Sequence, residues 1–185
     1  MTGLPKDDAA LVEQAQRNPQ DFGAIYDRYV DKIYTYIYYR TGNIHDAEDL
    51  TTNVFMRAMN HLPKYIDRGL PFSSWLYRIA HNLVSNYYRD QKRRELVHLE
   101  HSTLPEDPSK NPDNITVANE QTEMLLESIR ALPSDRQELL ILKFVEKLSN
   151  KEIGSIMLRS EGAIKSLYHR TLISLRTNIN NGHKP

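Results

Sequence analysis

Three groups of side chains have the types and spacing to do chemistry. Behind Ser160 come Glu161, Gly162, Lys165, Ser166, His169 and Arg170, one helical turn apart or adjacent, so they share one face of a helix. Such a face can hydrogen-bond to phosphates and to base edges. Arg78, Asn82, Ser85, Arg89, Lys92 and Arg93 step by three and four and make a second, basic line. Bases on such a line neutralise a nucleic-acid backbone, and Tyr65 in the preceding loop offers an aromatic surface for an unpaired base. The third group is His45, Asp46, Glu48 and Asp49. It resembles a ligand set, but acids in a first helical turn are what the helix dipole favours. No second ligand cluster is visible, so no metal is assigned. There is no glycine-rich phosphate loop and no nucleophile motif, so no catalytic residue and no cofactor are assigned either.

The elements that carry these groups are all helical. Ser149 and Glu152 form a capping box, Ile153, Ile156 and Met157 make an apolar face, and Leu158 and Arg159 make a turn. Ser160 caps the next helix, whose buried stripe is Ile164, Leu167, Tyr168, Thr171, Leu172 and Leu175. This is a helix-turn-helix pattern. Periodicity alone is served equally by an ordinary amphipathic pair with a solvated basic face.

Upstream, Asp8 to Asn18 reads as a short helix ended by Pro19. Phe22 to Gly42 reads as a longer one, with most of the tyrosines between Tyr26 and Tyr39 in the core and their hydroxyls at the surface. Asn43 caps a third helix, with Ala47, Leu50, Thr51, Val54, Phe55, Ala58 and Met59 as its stripe and Pro63 as its end. A fourth runs from Phe72 to about Arg94. Ser134 with Gln137 reads as another capping box, followed by Leu139, Leu140, Leu142 and Val145 on one face.

The predicted fold is therefore all-α: two small helical domains joined by a flexible acidic linker, the second ending in the helix-turn-helix. The boundaries read as 8–95, 96–116 and 117–180, with about four helices in the second domain. Pro105, Pro108 and Pro112 among acids and amides mark the linker.

Composition sets the remaining bounds. The 185 residues have a formal net charge of zero, but the average conceals an asymmetry. Pro63 to Arg94 is strongly basic and Glu95 to Glu127 strongly acidic. Cysteine is absent, which excludes a disulfide framework and thiolate metal sites. No apolar run is long enough for a bilayer and no signal-peptide core is present, so the expectation is a cytoplasmic protein without membrane insertion.

Two blocks carry a family resemblance. Asp46-Ala47-Glu48-Asp49-Leu50 with Val54-Phe55, then Phe72-Ser73-Ser74-Trp75-Leu76-Tyr77-Arg78-Ile79-Ala80-His81-Asn82, resemble region 2 of a bacterial sigma factor. Leu132-Pro133-Ser134-Asp135-Arg136-Gln137-Glu138 and the helix-turn-helix, with Gly162-Ala163-Ile164-Lys165-Ser166 and His169-Arg170, resemble region 4. Two regions and a linker are the layout of the extracytoplasmic-function (ECF) group of the sigma-70 family. The resemblance implies a non-enzymatic factor that binds core RNA polymerase and recognises the −10 and −35 elements of promoter DNA, with an anti-sigma factor as a further partner. It places Asp46, Glu48, Asp49 and Asn53 against the clamp coiled coil of the large polymerase subunit. It gives Tyr65, Arg78, Asn82, Arg89, Lys92 and Arg93 to the −10 element. The −35 element falls to Ser160, Glu161, Gly162, Lys165, Ser166, His169 and Arg170. The sequence departs from the family pattern at Thr51-Thr52-Asn53, at Leu158, where a turn glycine is usual, and at Leu167-Tyr168. The departure at Leu158 predicts a turn that is tighter packed or slightly reshaped. Two other classes compete: a repressor or activator that binds duplex DNA alone as a dimer, and an enzyme built on His45, Glu48 and Asp49.

Overall fold

The computed structural model describes residues 8–101, 128–129 and 131–182. Those residues contain helices and turns and no strand. They fall into two units, divided between Pro108 and Ser109. The expected linker lies mostly outside the described residues, as does most of the helix expected from Val117 to Leu132.

The first unit holds α1 (Asp8–Arg17), α2 (Phe22–Thr41), α3 (Ile44–His61) and α4 (Phe72–His101). α2, α3 and α4 pack on one another, and α1 lies against α2. Ile25, Ile33, Ile37, Val54, Leu76 and Val84 are buried at helical spacing on the faces that meet. Each such aliphatic side chain contributes about 1.5–3 kcal/mol by leaving water. The boundaries follow local chemistry. Gly42 ends α2 with φ 66°, a left-handed conformation that glycine adopts without a Cβ clash. Asn43 caps α3 by accepting the Asp46 N–H at 3.2 Å. Pro63 stops α3 in a single 3-10 turn, Leu62–Lys64.

Three sequence expectations change here. α4 continues through His101 instead of ending near Arg94, because no helix breaker precedes Pro105. Only Tyr29 and Tyr36 of the α2 tyrosines are core; Tyr26 and Tyr39 are 43% and 57% exposed, and Tyr34 stacks on Tyr38 half-way to the surface. A helix this rich in tyrosine has more rings than its buried face can hold. Met59 also leaves the predicted stripe and is exposed.

The second unit holds α5 (Ser134–Leu140), a π-turn (Ile141–Val145), α6 (Asn150–Met157) and α7 (Glu161–Gly182). Leu139, Leu142, Ile153, Ile156 and Ile164 are its fully buried centre. The helix expected after a Ser134 cap has Pro133 as its N-cap instead. The helix starts one residue earlier, with the Pro133 carbonyl accepting the Arg136 and Gln137 N–H groups, and the Gln137 amide donates back to the Leu132 carbonyl at 2.7 Å. Val145 is exposed, not buried. The π-turn, closed by Glu146 N–H to Ile141 O at 3.1 Å, rotates Phe144 and Val145 off the inner face. Leu172 is exposed as well, while Thr171 is buried and donates its hydroxyl to the Leu167 carbonyl at 2.8 Å.

Candidate nucleic-acid and polymerase interfaces

In the second unit the helix-turn-helix is built as the capping pattern requires. Ser149 Oγ accepts the Glu152 N–H at 3.3 Å and Glu152 Oε2 accepts the Ser149 N–H at 2.7 Å. Leu158 takes φ 58°, the left-handed conformation of a turn glycine, so the turn keeps that geometry instead of being reshaped. Its side chain is 58% exposed. A different glycine proves essential to the crossing. A Cβ on Gly154 would lie 2.7 Å from the Arg159 carbonyl oxygen, a backbone atom that cannot step aside. The turn is further tied to α5 by an ion pair of Arg159 with Asp135 at 3.0 Å.

Ser160 caps α7 by accepting the Ala163 N–H at 3.2 Å. Ile164, Leu167 and Thr171 seal the inner side. The other candidates, Glu161, Gly162, Lys165, Ser166, His169 and Arg170, are all exposed on the first turns of α7. Three of them, Glu161, Lys165 and Arg170, are already engaged. Lys165 Nζ lies 2.8 Å from Glu161 Oε1, and this ammonium, as donor and as charge, holds the Glu161 carboxyl below its usual range. Arg170 Nε donates to the Ser166 carbonyl at 3.3 Å. The face therefore presents donors and acceptors one above another along a helix that can enter a major groove.

In the first unit Asn82, Ser85, Arg89, Lys92 and Arg93 are exposed along α4, and Arg78 is half-buried at its start. Arg89 Nη2 donates to Asn86 Oδ1 at 3.0 Å, a short tether that keeps the guanidinium on the helix surface. The loop before α4 is fixed at its root. The Gln16 amide of α1 donates to the carbonyls of Leu62 and Tyr65, both at 2.9 Å. Tyr65 packs its ring against Phe72 and Trp75, with centroids 5.2 and 5.0 Å away, and burial raises its phenol pKa. One side of that ring is thus committed to the domain. Beside it Ile66 is 71% exposed. Sequence reasoning passed over Ile66; the signal was an apolar residue between Pro63 and Pro71 that no helical stripe claims.

On α3, Glu48, Asp49 and Asn53 lie open on the outer face. Asp46 does not join them fully. It is half-buried, and its Oδ2 accepts the Tyr87 hydroxyl at 2.7 Å. Burial, then Asp46, pushes the Tyr87 phenol up to about 12. The neighbouring Tyr88 hydroxyl donates to the Arg40 carbonyl. Adjacent tyrosines of α4 thus hold the end of α2 and the start of α3. Met56, 55% exposed, adds an apolar element to the face of Asn53 that sequence reasoning missed. His45 Nδ1 is 3.9 Å from Glu48 Oε2 at the exposed start of this helix.

Comparison with known proteins bears on both units. Residues 25–94 match the sigma-70 region 2 family and residues 122–175 match sigma-70 region 4. The ECF RNA polymerase sigma factor BldN of Streptomyces coelicolor is 36% identical over 166 residues, 89% of this chain and 63% of the relative. The ECF RNA polymerase sigma factor SigW of Bacillus subtilis is 32% identical over 177 residues, 91% of this chain and 94% of the relative. Among solved structures, sigma factor RpoE of Bartonella quintana, in complex with the anti-sigma factor NepR, matches with a TM-score of 0.65 at 20% identity, covering 87% of this chain and 98% of that one. Two helical units of this build, with these matches, define an RNA polymerase sigma factor, which gives core polymerase its promoter specificity. The chain belongs to the ECF group of the sigma-70 family. Among the described residues no helix is long and apolar enough to cross a membrane.

Proposed function

We propose that three exposed faces divide the work of this sigma factor. The outer face of α3, through Glu48, Asp49 and Asn53, meets the clamp coiled coil of the large polymerase subunit. Asp46 supports that face from within through Tyr87. The α4 line of Arg78, Asn82, Arg89, Lys92 and Arg93, with Tyr65 and the loop beside it, holds and opens the −10 element. Asn82 can donate to and accept from a base edge once the strands part. The start of α7, capped by Ser160, reads the −35 element through Glu161, Lys165, Ser166, His169 and Arg170, with Gly162 letting the helix approach closely. The protein works in the cytoplasm, catalyses no reaction itself, and is held in check by an anti-sigma factor, as the complex of the Bartonella relative suggests by analogy.

One observation carries the −35 assignment: every polar side chain named there stands on the open side of α7, while Ile164, Leu167 and Thr171 close the other. The test is run-off transcription with core polymerase and a library of −35 variants. Lys165→Ala should relax one position by about 1–3 kcal/mol, and Arg170→Ala should weaken all sequences alike. Wild-type preference and activity in both variants would remove α7 from DNA reading. The dimeric repressor alternative predicts tight, specific binding by the protein alone in a gel shift at physiological salt; the sigma assignment predicts weak binding without polymerase.

A further inference from the structure

The Glu161–Lys165 pair is an odd thing to aim at DNA. A carboxylate at the front of the reading helix opposes the phosphate backbone, and it neutralises the lysine expected to contact a base. Local helix chemistry offers a bland account, since an acid suits a first turn and an i,i+4 pair adds a little helix stability. That account would be met as well on any face of α7. Here both side chains stand on the open face, 47% and 62% exposed respectively, side by side with Ser166, His169 and Arg170.

The pair has a chemistry that neither residue has alone. At 2.8 Å it sets an acceptor, Glu161 Oε1, beside a donor, Lys165 Nζ. Each group keeps hydrogen-bonding capacity beyond that bond: the ammonium has three donors and the carboxylate two oxygens. In the major groove a G·C pair presents the complementary order, guanine N7 and O6 as acceptors and the cytosine N4 amine as donor. An A·T pair instead splits its two acceptors, adenine N7 and thymine O4, on either side of the adenine amine, and adds the thymine methyl. We infer that Glu161 is a specificity-determining residue, acting with Lys165 as one donor–acceptor unit that reads a G·C pair in the −35 element. This rests on the assignment of α7 to that element. Glu161 then has two effects. It accepts from the cytosine amine at the right sequence, and where the amine stands elsewhere in the donor–acceptor order its charge faces the phosphates with less to offset it.

The test uses holoenzyme reconstituted with the full chain, transcribing a −35 library at several salt concentrations. Glu161→Gln keeps the shape but removes the charge. It should raise transcription from mismatched sites and cut discrimination for G·C at one position by about tenfold. Lys165→Ala should relax the same position, and the double variant should lose little more than either alone, because the two act as a unit. Thermal melting of each variant checks folding; an exposed i,i+4 pair should move it little. The inference is overturned if Glu161→Gln keeps the wild-type preference, or if the two variants relax different positions. It is overturned alone if Arg170→Ala still lowers −35-dependent activity. If Lys165→Ala and Arg170→Ala are silent too, the assignment of α7 itself has failed.

Discussion

The two units carry the faces proposed for DNA in opposite ways. On α4 the basic line is tethered by a neutral amide, with Arg89 on Asn86, and its charge is left available. On the helix-turn-helix two of the bases are met by acids, Lys165 by Glu161 and Arg159 by Asp135, while Arg170 is held by a backbone carbonyl. An uncompensated line attracts any backbone and suits strand capture. A compensated face gains little from phosphate alone and must exchange its internal pairs for matching base edges. The difference teaches that a net charge of zero can conceal a division of labour, with one unit, on the proposed assignment, contributing attraction and the other discrimination.

The comparison can be broken most severely at Gly154. Valine there would place a Cβ against the Arg159 carbonyl, 2.7 Å away, with branches beyond it. Overpacking of this kind costs about 1–3 kcal/mol. Differential scanning calorimetry should show a lowered transition for the second unit alone. Transcription dependent on −35 should fall while binding to core polymerase is retained.

The charge contrast itself is tested by salt. Replacing Arg89 and Lys92 with alanine should reduce the slope of log affinity for promoter DNA against log salt by about one per lost phosphate contact, measured in holoenzyme by fluorescence anisotropy. Lys165→Ala should change that slope less, because its ammonium is already paired. Equal slopes for the three substitutions would erase the distinction between the units.

A smaller effect is expected at Leu158. Its left-handed φ of 58° costs a side-chain-bearing residue about 1–2 kcal/mol, and glycine gives part of that back to chain entropy. Leu158→Gly should raise the melting point by a few degrees at most, since the exposed leucine surrenders little packing. A loss of stability would mean that its side chain is held by contacts in the turn.

The smallest effect belongs to the first unit, and it varies only at alkaline pH. Tyr87 is raised to about 12 in the fold, against about 10 in the unfolded chain. The folded state therefore holds this proton more tightly. Its contribution is fully present below about pH 10 and is lost as pH climbs through about 12. Tyr87→Phe should be less stable than wild type at neutral pH, and the gap in urea midpoints should narrow between those values. A gap that stays constant would detach Tyr87 from Asp46.

Most of the fold was readable because its signals are local. Gly42, Asn43, Pro63 and the Ser149–Glu152 box each act on the backbone beside them, and each ends or starts a helix where the spacing predicts. The failures are tertiary. Whether Tyr26, Met59 or Leu172 is covered depends on which neighbour reaches it, and periodicity assigns a face without saying how wide its cover is. The site candidates on α7 were readable for the same local reason, being the polar side of one strong stripe. Asp46 was not, because its partner Tyr87 lies on another helix. Nor was the role of Gly154: the sequence marks a missing turn glycine at Leu158, while the close approach that needs a glycine occurs four residues earlier.

The π-turn at Ile141–Val145 has a consequence for how such chains can vary in length. A π-turn holds one residue more than the α-turn it replaces, so it is an insertion absorbed without disturbing the helix before it or the turn after it. Deleting a single residue there would close the ladder into ordinary α-helix and keep α5 and α6 connected. The same deletion between Met157 and Ser160 would pull α7 out of register with α6. Gaps in an alignment of chains of this build should therefore gather at 141–145 and avoid 158–160.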